Sequence, residues 1–232
     1  MKSRKKWSAM GKLETIRLIH NHKLIAIMRG IEEKDLIETV QAMVDGGIRL
    51  LEVTFDHKNE NCIENTMSKI KKIIDCFGDQ LCVGTGTVLT KKEVEAAVEA
   101  GAQFIISPNV DELVIKKTNE LNVVSIPGAF TPTEAVLAYA HGADFVKLFP
   151  AGEIGKSYIS ALIKPLEHIP FLAVGGITPE NVKEYLDLGV RGVGVSGSLV
   201  NKEAIKNRNY ELIKSVAEKF TLNIKNNPEG KK

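Results

Sequence analysis

Eight short β-prone runs set the frame of this chain. They fall at residues 24–29, 48–54, 81–86, 103–107, 123–126, 144–149, 171–174 and 192–196, and their starts lie 20 to 33 residues apart. That spacing leaves one helix between consecutive runs, which is the crossover that parallel strands require. The gaps carry helical signals. Between residues 32 and 45, Leu36, Ile37, Val40, Met43 and Val44 follow the helical period. Thr90 with Glu93, and Thr131 with Glu134 behind Pro132, have the spacing of capping boxes, and Thr178-Pro179 repeats the Thr-Pro start. Residues 11–20 read as a short leading helix with Leu13, Ile16 and Ile19 on one face.

The helix ends repeat. A glycine, then a small or branched residue, then a strand recur at Gly47-Ile48, Gly101-Ala102, Gly142-Ala143 and Gly189-Val190, in steps of 54, 41 and 47 residues. Each step is about two β/α units, and each repeat precedes an even-numbered strand. The echo predicts an α/β fold: a single-domain (β/α)8 TIM barrel with a short N-terminal helix, filled by side chains from alternate strands. An open doubly wound sheet is the alternative, but no GxGxxG follows the first strand. At 232 residues the chain has the size of one such barrel. The expected layout is a flexible basic start at 1–10, the barrel at 11–224 and a disordered tail at 225–232.

Charge excludes some partners. The net charge is +2, yet Lys2, Arg4, Lys5 and Lys6 at the start and Lys225, Lys231 and Lys232 at the end leave the body between them net negative. An acidic body lacks the basic face of a nucleic-acid binder. No apolar run approaches the ~20 residues of a membrane span, and no apolar segment follows the basic start, so no secretory signal is expected. Three cysteines, Cys62, Cys76 and Cys82, form no CxxC pair, which fits a reducing, cytoplasmic setting without a cysteine metal site.

In such barrels reactive groups sit at the C-terminal ends of the strands. Two charges stand where apolar residues are expected: Glu52 in the second strand and Lys147 in the sixth, within Asp144-Phe-Val-Lys-Leu-Phe149. An isolated buried charge costs several kcal/mol, so such groups pair or shift their pKa. One reading is a structural ion pair. The other is an amine nucleophile beside a carboxylate that moves protons. Arg29 ends the first strand and is a candidate clamp for a carboxylate. Gly175-Gly176 and Ser196-Gly197-Ser198 follow the seventh and eighth strands, the usual phosphate position in these barrels. Asp56-His57 offers two metal-ligand types but no third at a convincing spacing.

Taken in order, Leu51-Glu-Val-Thr54, Gly84-Thr-Gly-Thr87-Val, Ile106-Ser-Pro108, Ile126-Pro-Gly-Ala-Phe-Thr-Pro-Thr-Glu134, Val146-Lys-Leu-Phe-Pro-Ala151, Gly175-Gly-Ile177 and Gly197-Ser-Leu-Val200 resemble the class I aldolases that cleave 2-keto-3-deoxy-6-phosphogluconate and 4-hydroxy-2-oxoglutarate. The resemblance runs from about residue 13 to 220. It implies that Lys147 forms a Schiff base with a keto acid and that Glu52 is the general acid/base. It also implies that Thr87 holds the pyruvyl carboxylate with an arginine, that Pro108 and Phe149 line the pocket, and that Gly175, Gly176 and Ser198 hold the phosphate. Members are commonly homotrimers and need neither metal nor organic cofactor. Three positions depart from the family pattern. Asp56 stands where many relatives carry arginine, and that role passes to Arg29. Val174 replaces a common threonine, and Ser196 a common glycine. An isomerase or epimerase of a sugar phosphate, and an inactive barrel with a binding or assembly role, are the other readings.

Overall fold

The β-prone runs form strands that are buried along their whole length, as parallel strands covered on both faces must be. The computed structural model describes residues 11–226. The start at 1–10 and most of the expected tail lie outside the described residues. The strands are β1 (Leu24–Met28), β2 (Leu50–Thr54), β3 (Cys82–Gly86), β4 (Phe104–Ile106), β5 (Val124–Ile126), β6 (Gly128–Ala129), β7 (Val146–Leu148), β8 (Phe171–Val174) and β9 (Gly192–Val195). They make one sheet in the order β5-β4-β3-β2-β1-β9-β8-β7-β6, with parallel pairing throughout.

Nine strands stand where eight were expected, because Pro127 divides the fifth stave. Proline has no N–H to give to a ladder. Residues before it pair with β4, and residues after it pair with β7. The same stave closes the barrel: the Phe145 N–H donates to the Ser125 carbonyl at 3.2 Å and the Lys147 N–H to the Pro127 carbonyl at 2.9 Å. The result is a (β/α)8 TIM barrel whose expected sixth, seventh and eighth strands are β7, β8 and β9.

The helices are α1 (Lys12–His22), α2 (Leu36–Asp45), α3 (Cys62–Phe77), α4 (Lys91–Glu99), α5 (Glu112–Glu120), α6 (Pro132–Ala140), α7 (Ala151–Ile154), α8 (Lys156–Ile163), α9 (Val182–Asp187), α10 (Lys202–Lys206) and α11 (Tyr210–Lys225). Both capping boxes form, at Thr90 and at Thr131. Thr178-Pro179 does not start a helix. Those residues lie in a turn, and α9 begins behind Asn181, whose side-chain oxygen accepts from the Thr178 N–H at 2.8 Å. The four repeated glycines all adopt the left-handed backbone, with φ of 94°, 103°, 94° and 99° at Gly47, Gly101, Gly142 and Gly189. A Cβ disfavours that conformation, so glycine ends each helix there.

Strand alternation sorts the core into two shells. Leu51, Val53, Val83, Ile105, Val146, Leu148 and Ala173 face outward into the layer under the helices. Ile25, Leu50, Cys82, Phe104, Val124, Phe145 and Leu172 face inward and fill the barrel. Helix α1 plugs the N-terminal mouth with Ile19, supported by Ile16 and Leu18. Leu13, expected on that face, is exposed, and Thr15 is buried in its place. Opposite this plug, the cavity among the described residues opens at the C-terminal ends of the strands. Among the described residues no helix is long and apolar enough to cross a membrane.

The Phe104 ring needs the space left by Gly84, where an added Cβ would stand 2.2 Å from a ring carbon. Gly84→Ala should therefore lower unfolding stability by about 1–3 kcal/mol through overpacking, read as a reduced urea midpoint at unchanged slope.

Candidate active site

Period two also decides where the two strand charges point. Leu50 faces inward and Leu51 and Val53 outward, so Glu52 faces inward. Val146 and Leu148 face outward, so Lys147 between them faces inward too. With β5 and β6 counted as one stave, β2 and β7 stand four staves apart in either direction. Side chains from opposite staves meet near the barrel axis, in a layer built by alternate strands. Glu52 is 2% exposed and Lys147 is 6% exposed.

The carboxylate has a prepared seat. A Cβ on Gly86 of β3 would stand 1.6 Å from Glu52 Oε1, so only glycine leaves room for the carboxylate there. Glu52 Oε2 is buried without a hydrogen-bond partner among the described residues. Burial pushes the Glu52 carboxyl up, and the charges of Lys147 and Arg29 oppose that shift only in part. Burial likewise pushes the Lys147 amine down from 10.5, with Glu52 opposing and Arg29 reinforcing. The conflict between desolvation and the nearby carboxylate is thus decided for the amine: desolvation leads, and the neutral, nucleophilic form gains.

Above the pair opens a cavity of about 500 Å³, lined by Arg29, Glu52, Thr87, Pro108, Lys147, Phe149, Gly175, Gly176 and Ser198 together with Val174 and Ser196. All nine residues singled out from the sequence therefore meet in one space. Ile27, Ile177, Thr178 and Gly194 also line it, and the sequence reading did not single them out. Ile27 could have been found from alternation alone, since it lies two residues after the inward Ile25.

At one side of the mouth Arg29 Nη2 donates to Thr87 Oγ1 at 3.2 Å. Thr87 sits at φ 60°, a backbone state that threonine adopts only under constraint. Asp56 does not line the cavity. It lies in a separate depression with Asn59, Asn65 and Lys69, and its carboxylate accepts from the Lys58 N–H at 3.2 Å. Its neighbour His57 pairs with Glu93 at 2.8 Å. Among the described residues no cluster of three or more His, Cys, Asp and Glu could hold a metal.

At the other side two loops face each other. Gly175 and Gly176 are left-handed, with φ of 94° and 72°. Gly152 of α7 packs against them so closely that a Cβ on Gly176 would stand 2.8 Å from its Cα. Ser198 Oγ donates to the Ile177 carbonyl at 2.6 Å and ties the two loops together. Its hydroxyl hydrogen is thereby used. Among the described residues the backbone N–H groups of Gly176, Gly197 and Ser198 donate to no acceptor. All three residues line the same recess, and unpaired backbone amides are the donors that anion-binding loops use.

The family model for KDPG and KHG aldolase, the enzymes of 2-keto-3-deoxy-6-phosphogluconate and 4-hydroxy-2-oxoglutarate, matches residues 15–216. The chain is 36% identical over 177 residues to a 2-dehydro-3-deoxy-6-phosphogalactonate aldolase of Escherichia coli K12, covering 76% of this chain and 83% of that one. It is 34% identical over 183 residues to a KHG/KDPG aldolase of the same organism, covering 78% and 82%. Among solved structures it is similar to a KDPG aldolase from Legionella pneumophila with pyruvate captured as a covalent carbinolamine. That match has a TM-score of 0.78 and 28% identity, covering 88% of this chain and 96% of that one.

The opposing charges around Lys147 give a signed expectation. Glu52→Gln removes the charge that favours the ammonium, so the Lys147 amine should titrate at lower pH than in the wild type. Arg29→Gln removes a repelling cation and should move that titration toward 10.5. The pH dependence of the Lys147 resonance after isotopic dimethylation reads both shifts, and movement in the reverse sense would contradict the assigned causes.

Proposed function

The chain belongs to the KDPG and KHG aldolase family and is a class I aldolase, a carbon–carbon lyase; from that premise we propose that it cleaves a 2-keto-3-deoxy-6-phospho sugar acid to pyruvate and glyceraldehyde 3-phosphate. Lys147 is the nucleophile and Glu52 carries the protons. The observation that supports this most is the meeting of one desolvated amine and one desolvated carboxylate at the floor of the cavity.

The neutral amine adds to the C2 ketone; the Glu52 carboxyl then protonates the carbinolamine hydroxyl, which leaves as water, so the nitrogen remains as a protonated imine and Glu52 as a carboxylate. That cation accepts the electron pair of the C3–C4 bond as it breaks, so an enamine forms in place of a free carbanion. The C4 hydroxyl gives its proton to Glu52, directly or through one water, and C4 departs as the aldehyde. A carboxyl whose pKa is raised by burial is suited to take that proton and return one to C3. Hydrolysis of the imine then frees pyruvate and restores the lysine.

Arg29 and Thr87 bind the pyruvyl carboxylate, with Pro108 and Phe149 as the apolar walls. The amides of Gly176, Gly197 and Ser198 hold the phosphate, with Gly175 supplying the turn that aims them. This cradle favours a phosphorylated substrate over 4-hydroxy-2-oxoglutarate, which has a carboxylate at that end. The phosphogluconate acid and its galactonate epimer differ only in configuration at C4, and relatives of both specificities stand at similar identity. The protein acts as a homotrimer in our reading. Phe130, Val136, Leu137, Tyr139 and Tyr158, on and beside α6, are all exposed and supply an apolar face that assembly would cover.

Pyruvate with borohydride should add one reduced adduct to the wild type and none to Lys147→Ala. An unchanged mass for the wild type would reject the Schiff base. A coupled assay with both phosphorylated epimers and 4-hydroxy-2-oxoglutarate side by side should give turnover on at least one phosphorylated acid at a kcat/KM above that for 4-hydroxy-2-oxoglutarate. In the same assay Arg29→Ala should raise KM at least tenfold while Asp56→Ala leaves it nearly unchanged. Light scattering should give a mass near three times the 25.4 kDa chain; a monomer would refute the trimer alone.

A further inference from the structure

We infer that Phe149 is a catalytic residue as well as a wall: the π face of its ring stabilises positive charge on Lys147 Nζ, carried first by the ammonium and then by the protonated imine. The inference rests on the aldolase reading of Lys147 and deepens it.

The geometry is direct. Lys147 Nζ lies 4.4 Å from the centroid of the Phe149 ring, well inside the ~6 Å reach of a cation–π contact. Phe149 follows Lys147 by two residues and so continues the inward face of the same stave. The ring is held in place. Its backbone N–H donates to the Ala129 carbonyl at 3.2 Å, and two ring carbons lie 3.6 Å from where a Cβ on Gly175 would stand. Phe149 is 39% exposed, unlike Phe104, Phe145 and Phe171, which are fully buried. An aromatic ring kept out of the core and set against a reactive amine is doing something other than filling volume.

The chemistry explains why a ring serves here. No direct ion pair between Lys147 and a carboxylate is found among the described residues, and Arg29 adds a like charge nearby. A carboxylate in contact would hold the amine protonated and remove the nucleophile. A ring face supports the cation more weakly and takes no proton, so the amine can still be neutral when it attacks. After attack, the Glu52 carboxyl gives the proton with which the hydroxyl leaves as water, and the imine nitrogen is positive. When the C3–C4 pair moves toward that nitrogen, the enamine is neutral. A strong counterion would trap the imine, whereas a π face supports it and lets the charge go.

The test replaces Phe149 with mono-, di- and trifluorinated phenylalanine, which keep the shape while draining the ring face of negative potential, alongside Phe149→Leu and Phe149→Tyr. Two readouts are taken: the pyruvate concentration for half-maximal borohydride trapping at Lys147, and the pH midpoint of the isotopically dimethylated Lys147 resonance. The half-maximal concentration should rise stepwise with fluorination, reaching about tenfold in the trifluoro protein and in Phe149→Leu, which is about 1.4 kcal/mol. The midpoint should fall to lower pH in the same order, and Phe149→Tyr, which keeps the π face, should hold a midpoint above that of Phe149→Leu. If the fluorinated proteins match the wild type in both readouts while Phe149→Leu alone is impaired, the ring is only a wall and the inference is wrong. If even the wild type fails to trap pyruvate, the aldolase reading falls, and the midpoints alone decide whether the ring supports the cation.

Discussion

Two ionisable groups of opposite sign, Glu52 and Lys147, buried inside one barrel impose the strictest constraint on this protein. Burial favours the neutral form of each group, and the charge of the other opposes that shift only in part. The fold tolerates the pair because Glu52 and Lys147 stand on opposed staves of one layer. Their neighbours along each strand alternate outward into the apolar shell. A one-residue slip of either strand would send its charge into that shell and its apolar neighbours into the cavity. Register and chemistry are thus fixed by the same alternation.

Several features of the scaffold can be understood from that pair outward. Gly86 is glycine because Glu52 Oε1 occupies the place of its Cβ. The fifth stave is broken at Pro127, and the Pro127 carbonyl accepts the Lys147 N–H. The strand that carries Lys147 is therefore tied to its neighbour even at the break. Helix α1 stoppers the lower mouth with Ile19, which keeps water from entering beneath the layer of charges. In a site closed below and open above, desolvation outweighs the mutual attraction of the pair. That balance is why the amine moves down and the carboxyl up.

Two departures from the family pattern take a different weight in three dimensions. Asp56, which would repel a substrate carboxylate if it faced inward, lies in another depression with Lys69 nearby. Arg29 reaches the same mouth from the end of β1 and is already bonded to Thr87. Val174 does line the cavity and removes a hydroxyl from its wall. The adjoining loops bring the backbone amides of Gly176, Gly197 and Ser198 to the same wall, behind the left-handed turn of Gly175 and Gly176.

Much of this is legible in the amino-acid sequence alone. Strand spacing, the recurring helix-ending glycines and the two capping boxes specified an eightfold α/β barrel, because crossover length and left-handed backbone are local properties. Glu52 and Lys147 announced themselves by breaking apolar runs, since a charge in a buried strand needs a reason. What only the folded chain decided was long-range. It set the facing of β2 and β7 across the axis, the exclusion of Asp56, and the exposure of Leu13 where periodicity placed it inward. It also set the splitting of one stave at Pro127 and the seating of a phenyl ring against the amine. Those outcomes depend on which groups compete for the same space after the barrel closes, and a period read along one segment carries no information about the segment opposite.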